Sequence, residues 1–148
     1  MDKIRSWLFI GGYRDTLNQS YLNLKNIQAM LQLAEKVAQP NIISFYLPVE
    51  DLAPVSPEHL QQGVDFIRRH KQLGMNVLVA CGAGINRSSA FCAASLKEEE
   101  GLSLFEAFKE VKRNHPESLP HEPVWTSLCN YYNESIPYLD VMRLSYSK

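Results

Sequence analysis

The stretch Val77-Leu78-Val79-Ala80-Cys81-Gly82-Ala83-Gly84-Ile85-Asn86-Arg87-Ser88-Ser89-Ala90 decides how this chain is read. Its first four residues are apolar on both faces, the pattern of an inner strand in a parallel sheet covered by helices on each side. From Ser89 onward Ala90, Phe91, Cys92, Ala93, Ala94 and Leu96 make residues 89–97 apolar nearly all round, which predicts a helix buried in the middle of a domain and stopped at Gly101. Between strand and helix lie small residues and two glycines. Ligands of open α/β sheets bind at the carboxyl ends of strands, so Cys81 stands where chemistry is expected.

Working outward, residues 7–10 form an aromatic and aliphatic run ending at Gly11-Gly12, and residues 41–47 form another ending at Pro48. Both read as strands. Ser56-Pro57 supplies an N-cap and first position for a crossover helix with Leu60, Val64 and Ile67 on one face and Gly74 as its stop. Ser103-Leu104-Phe105-Glu106 is a capping box before a further amphipathic helix that ends ahead of Pro116. Residues 123–132 keep helical spacing through Val124, Leu128 and Tyr131, and residues 21–33 read as a helix feeding a short strand near Val37. The expectation is one domain over residues 1–148, with a loose tail from about residue 137. Its fold class is α/β, a mostly parallel sheet of four to five strands with helices on both faces.

Composition narrows the function. Hydrophobic residues at 45% and charged residues at 21% are ordinary for a globular domain, which excludes disordered, collagen-like and coiled-coil chains. A net charge of -1 with no long Lys/Arg run gives no basis for binding nucleic acid or an anionic membrane. The N-terminal residues lack a signal-peptide pattern and no apolar run reaches about 18 residues, so a cytoplasmic protein is expected. Three cysteines, Cys81, Cys92 and Cys129, fit neither a disulfide framework nor a CxxC zinc site, and Cys92 and Cys129 read as core. Arg68, Arg69, His70 and Lys71 read as the solvated face of the crossover helix, with His59 also solvent-facing; of the four histidines only His121 is placed near the loop.

Gly82 and Gly84 allow a tight turn that aims successive backbone N–H groups inward, a nest completed by the N-terminus of the next helix. Ala83, Ile85 and Asn86 contribute the same kind of donor. Arg87, six residues after Cys81, can fold back and take two oxygens of the same anion with its planar fork. The donors and the positive helix end also favour a thiolate at Cys81, which makes it a nucleophile. A Cys with Arg six positions later arises by chance for roughly one cysteine in twenty. Two glycines, Ser88, a strand before and a helix after make the loop a much stronger signal.

At this point the chain resembles the cysteine-dependent protein tyrosine and dual-specificity phosphatases, whose signature is H-C-x5-R-[S/T], and in particular their small dual-specificity branch. Softer points of resemblance are residues 8–15, the stretch Pro48-Val49-Glu50-Asp51, and Pro120 before a final helix. The resemblance covers most of the chain. It departs at Ala80, where the family carries histidine.

The resemblance implies a protein tyrosine phosphatase-like fold and hydrolysis of phosphotyrosine, with phosphoserine and phosphothreonine as further substrates, through a phosphocysteine. It places a general acid in a loop upstream of the cysteine. Asp51 is the candidate and Glu50 its competitor, both open to the plainer reading of loop carboxylates in water. Ser88 is expected to hydrogen-bond the sulfur, or else to cap the helix. The expected partners are a phosphorylated protein or small phosphoester, with phosphate, sulfate or vanadate able to occupy the loop; no cofactor or metal is called for. Two alternatives stand beside this: a silent phosphate-binding module, suggested by Ala80, and a phosphoinositide or RNA phosphatase, disfavoured by a loop without extra basic residues.

Overall fold

Along β5 (Asn76–Cys81) successive side chains alternate between two apolar layers: Val77, Val79 and Cys81 join the larger core, and Leu78 and Ala80 the smaller one. A strand buried on both faces belongs inside a sheet, and β5 does lie in its middle. The computed structural model describes residues 1–146 and orders the five strands β1-β2-β5-β3-β4, where β1 is Asp2–Arg5, β2 Leu8–Gly12, β3 Ile27–Gln32 and β4 Ile43–Tyr46. Only β1 runs antiparallel to its neighbour.

The two short helices α1 (Tyr13–Thr16) and α2 (Gln19–Leu24) lie near the smaller core, where Leu22 packs with Phe9, Ile27, Met30, Leu78 and Ala80. The opposite face carries α3 (Pro57–Gln72), α4 (Arg87–Glu100), α5 (Leu104–Asn114) and α6 (Glu122–Tyr132). Helix α4 is central to this layer, with every residue from Ser88 to Leu96 buried. Ser56 caps α3 by accepting a hydrogen bond from His59 N–H at 3.1 Å, and Ser103 caps α5 from Glu106 N–H at 3.2 Å.

Three expectations about secondary structure are corrected. Residues 21–33 are not one helix: α2 ends at Leu24, Asn26 turns the chain at φ 57°, and residues 27–32 form β3 between β5 and β4. The backbone there finds ladder partners on both sides, which outweighs a helical spacing of apolar residues. No strand forms at Val37, whose backbone N–H and carbonyl are instead held by the Gln32 amide at 3.1 and 2.7 Å. From residue 137 the chain is not a loose tail, because Tyr138–Tyr146 is helix α7 with Val141 buried against the core; residues 147–148 of that segment lie outside the described residues.

His70 is buried, not solvent-facing: its Nδ1 lies 2.8 Å from the Phe66 carbonyl one turn back, and its ring lies 4.1 Å from that of Phe66. Arg68 and Lys71 do reach outward, where they pair with Glu98 and Glu99 of α4 and tie the two helices together.

Helices α3 and α4 approach closely at Gly63, where an added Cβ would sit 2.4 Å from the buried Phe91 ring. Alanine should favour the helix by about 1 kcal/mol, but the overpacking should cost about 1–3 kcal/mol. Gly63→Ala is therefore expected to lower stability, read as a reduced midpoint in urea denaturation.

Candidate active site

Cys81 is the last residue of β5 and is 3% exposed, with its side chain on the α4 side of the sheet. Residues 82–86 make the turn into α4, which begins at Arg87. Gly84 takes φ 76°, and a Cβ there would stand 2.7 Å from the backbone of Gly11. Both the left-handed backbone and the close approach of β2 demand glycine at this position.

Three carbonyls of the loop point away from its hollow, each towards a partner outside. Gly82 O accepts from Tyr13 N–H at 3.0 Å, Gly84 O faces His115 Nε2 at 2.7 Å, and Ile85 O accepts from Leu119 N–H at 3.1 Å and also from the Ser89 hydroxyl. No described peptide bond is cis. In a planar trans peptide the C=O and the following N–H point in opposite directions. The amides of Ala83, Ile85 and Asn86 are therefore aimed inward, at the pocket those three residues line with Cys81. The amides so placed have the geometry of an anion nest, facing the positive end of a 14-residue helix.

Arg87 folds back over this hollow. One terminal nitrogen donates to Val49 O at 2.8 Å, and the other lies close beside Gly82. Its Nε is buried, 3.6 Å from Asp51 Oδ1, and makes no hydrogen bond among the described residues. A buried cationic N–H without a hydrogen bond is a costly arrangement, and an anion in the pocket would relieve it.

Asp51 and Glu50 are separated by the structure. Asp51 lines the pocket of about 150 Å³ with Cys81, Arg87 and His121, while Glu50 lines a different hollow with His59 and Pro54. The Asp51 carboxylate is 52% exposed, and its Oδ1 accepts from Asn86 Nδ2 at 2.5 Å. Asn86 in turn accepts from His121 N–H at 2.7 Å, so one buried amide joins the phosphate loop, the loop bearing Asp51 and the segment before α6.

Ser88 does not cap α4, whose N-cap is Asn86; its hydroxyl lies 3.2 Å from Cys81 Sγ. Cys92 is fully buried, and burial first and the charge of Cys81 second push its thiol far above its usual range. It is an inert core residue, as expected. His121 does reach the pocket. Residues whose part was not foreseen are His115, Leu119 and Tyr13, which hold loop carbonyls, and Asn86, whose side chain donates to the Asp51 carboxylate. Only Tyr13 carried a sequence signal, from its place just after Gly11-Gly12.

Comparison with known proteins identifies the family. Residues 8–134 match the family model of the dual specificity phosphatase catalytic domain, and the chain belongs to that family. Human dual specificity protein phosphatase 5 is 29% identical over 140 residues, covering 91% of this chain; the chain spans 36% of that relative's length. Among solved structures, human DUSP28 superposes with a TM-score of 0.83 at 26% identity, covering 90% of this chain and 96% of that one. A mouse putative dual specificity phosphatase, solved in complex with zinc tungstate, also has a TM-score of 0.83 at 26% identity, with 97% and 90% covered.

Gly84→Ala forces a side chain into the left-handed region against the Gly11 backbone. The expected outcome is loss of phosphate binding in titration calorimetry, with a lowered melting temperature.

Proposed function

We propose that the chain hydrolyses phosphate monoesters on proteins, phosphotyrosine foremost with phosphoserine and phosphothreonine beside it, and that it acts in the cytoplasm. The observation that carries this reading is the Nε of Arg87, buried without a hydrogen bond among the described residues at a hollow that Cys81 shares with three inward-facing amides. In the reaction the Cys81 thiolate attacks phosphorus while the loop amides and Arg87 hold the non-bridging oxygens. As the S–P bond forms, the P–O bond to the leaving group breaks, and protonated Asp51 gives its proton to the departing oxygen. Water then attacks the phosphocysteine and passes a proton to Asp51; the S–P bond breaks and the sulfur leaves as thiolate. The Ser88 hydroxyl, at 3.2 Å, stabilises that leaving sulfur. Tungstate, present in the mouse structural relative, and vanadate are expected to occupy the same loop.

The loop has only Arg87 as a cation between residues 81 and 88, which suits one phosphate better than a polyphosphorylated headgroup. A silent binding module is disfavoured, since nucleophile, arginine, hydroxyl and acid converge on one pocket.

Turnover of an aryl phosphate should be inhibited by vanadate and vanish in Cys81→Ser, whose fold should be unchanged by circular dichroism. Asp51→Asn should lower kcat by about 10²–10⁴-fold, and Glu50→Gln should leave it near wild type. Full activity in Cys81→Ser would sink the proposal.

A second outcome follows from the Asn86 clamp. Asn86→Ala frees the Asp51 carboxylate from its 2.5 Å donor, so kcat should fall while the inhibition constant of phosphate changes little. The two constants, measured together on the variant, check it.

A further inference from the structure

Of the three clamped loop carbonyls, Gly84 O is the one that faces an ionisable side chain. It lies 2.7 Å from His115 Nε2. On the far side of the ring, Nδ1 lies 2.6 Å from Asp2 Oδ2 and 2.5 Å from Glu117 Oε1. A carbonyl oxygen and an ionised carboxylate accept hydrogen bonds and cannot donate them. Holding all of these contacts therefore uses both ring protons of the histidine.

The ring is shielded while its partners are wet: the His115 side chain is 8% exposed, those of Asp2 and Glu117 46% and 52%. A charged donor in such a place makes a stronger hydrogen bond than a neutral one. Asp2 comes from β1 and Glu117 from the turn after α5. Lys112 of α5 stands beyond them, with its ammonium on Ser118 O and within electrostatic reach of Glu117.

We infer that His115 is a positioning residue for the phosphate loop, acting in its two-proton form, and that its task is to keep the Gly84–Ile85 peptide turned with its carbonyl out and its N–H in. This inference rests on the reading of the loop as an oxyanion site. Gly84 is where such a device is needed. A glycine at φ 76° can flip its peptide at little steric cost, and a flip would replace an inward donor with a carbonyl oxygen facing the anion. Ala80, buried at the base of the loop, has no polar side chain with which to prevent this. His115 touches neither substrate nor sulfur, so its effect passes wholly through Gly84.

The test compares wild type, His115→Ala and His115→Arg for aryl phosphate turnover, inhibition by inorganic phosphate, and melting temperature. His115→Ala is expected to raise both KM and the phosphate inhibition constant about tenfold or more, the loss of one charge-assisted hydrogen bond at the site. His115→Arg, which keeps a cationic donor with several N–H groups, should recover most of that loss. Alanine values equal to wild type, or arginine values no better than alanine, would overturn the inference. Nitrogen NMR of the wild-type imidazole provides a readout that does not depend on a variant folding: Nε2 of His115 is expected to carry a proton hydrogen-bonded to Gly84 O, and an unprotonated Nε2 would overturn it. A wild-type protein that neither binds phosphate nor cleaves the aryl ester defeats the loop reading itself; a competent wild type matched by His115→Ala defeats only the role of His115.

Discussion

A cradle of backbone N–H groups exists only while the carbonyls of the same peptides are turned away from it, and a buried carbonyl turned away must find a donor elsewhere. That constraint organises the molecule around Cys81. Tyr13 opens α1 directly after β2, and Leu119 and His115 come from the connection between α5 and α6. These segments are far apart in sequence, and the sheet and helix layer bring them to one rim. The tight approach of Gly11 and Gly12 to the loop has the same origin, since side chains on either would meet Asp15 or the Gly82 carbonyl.

The second half of the site is held by one residue of the loop and one beside it. Val49 N–H bonds Leu33 O, and Val49 O accepts from Arg87, so the segment carrying Asp51 is pinned to the end of β3 and to the anion-binding arginine together. Asn86 then fixes the Asp51 carboxylate itself. The contrast in exposure suits the two roles. Arg87 is mostly buried, whereas Asp51, which the proposed reaction requires to exchange a proton with water and the leaving group, is half open to solvent.

What could be read from the sequence was local, and what could not was tertiary. The run from Val77 to Ala90 announces strand, loop and helix because each is signalled by its own neighbours, and Cys81 with Arg87 follows from spacing within that run. Residues 27–32 escaped because their apolar spacing suits a helix as well as a strand, and only the ladders to β5 and β4 decide between them. Asp51 and Glu50 are adjacent, and nothing short of the loop's actual path turns one towards Cys81 and the other away. His115 gave no signal because its contact with Gly84 spans 31 residues. The buried His70 and helix α7 were missed for a related reason: each depends on packing against an apolar surface that the local composition does not show.

Two cysteines in this chain differ in what surrounds the thiol, and the difference bears on the nucleophile proposed. Cys81 and Cys92 are both buried, so burial by itself cannot distinguish them. Around Cys92 there is apolar helix, and desolvation holds its proton in place. Cys81 has the Ser88 hydroxyl at 3.2 Å, three amides aimed into its pocket and the first turn of α4 in front of it. Each of these is a preorganised positive dipole that stands in for lost water. In the proposed reaction the same dipoles serve the phosphate in one step and the leaving sulfur in the next, so one geometry would serve both the anion and the thiol. A change that turned even one loop peptide would weaken both at once.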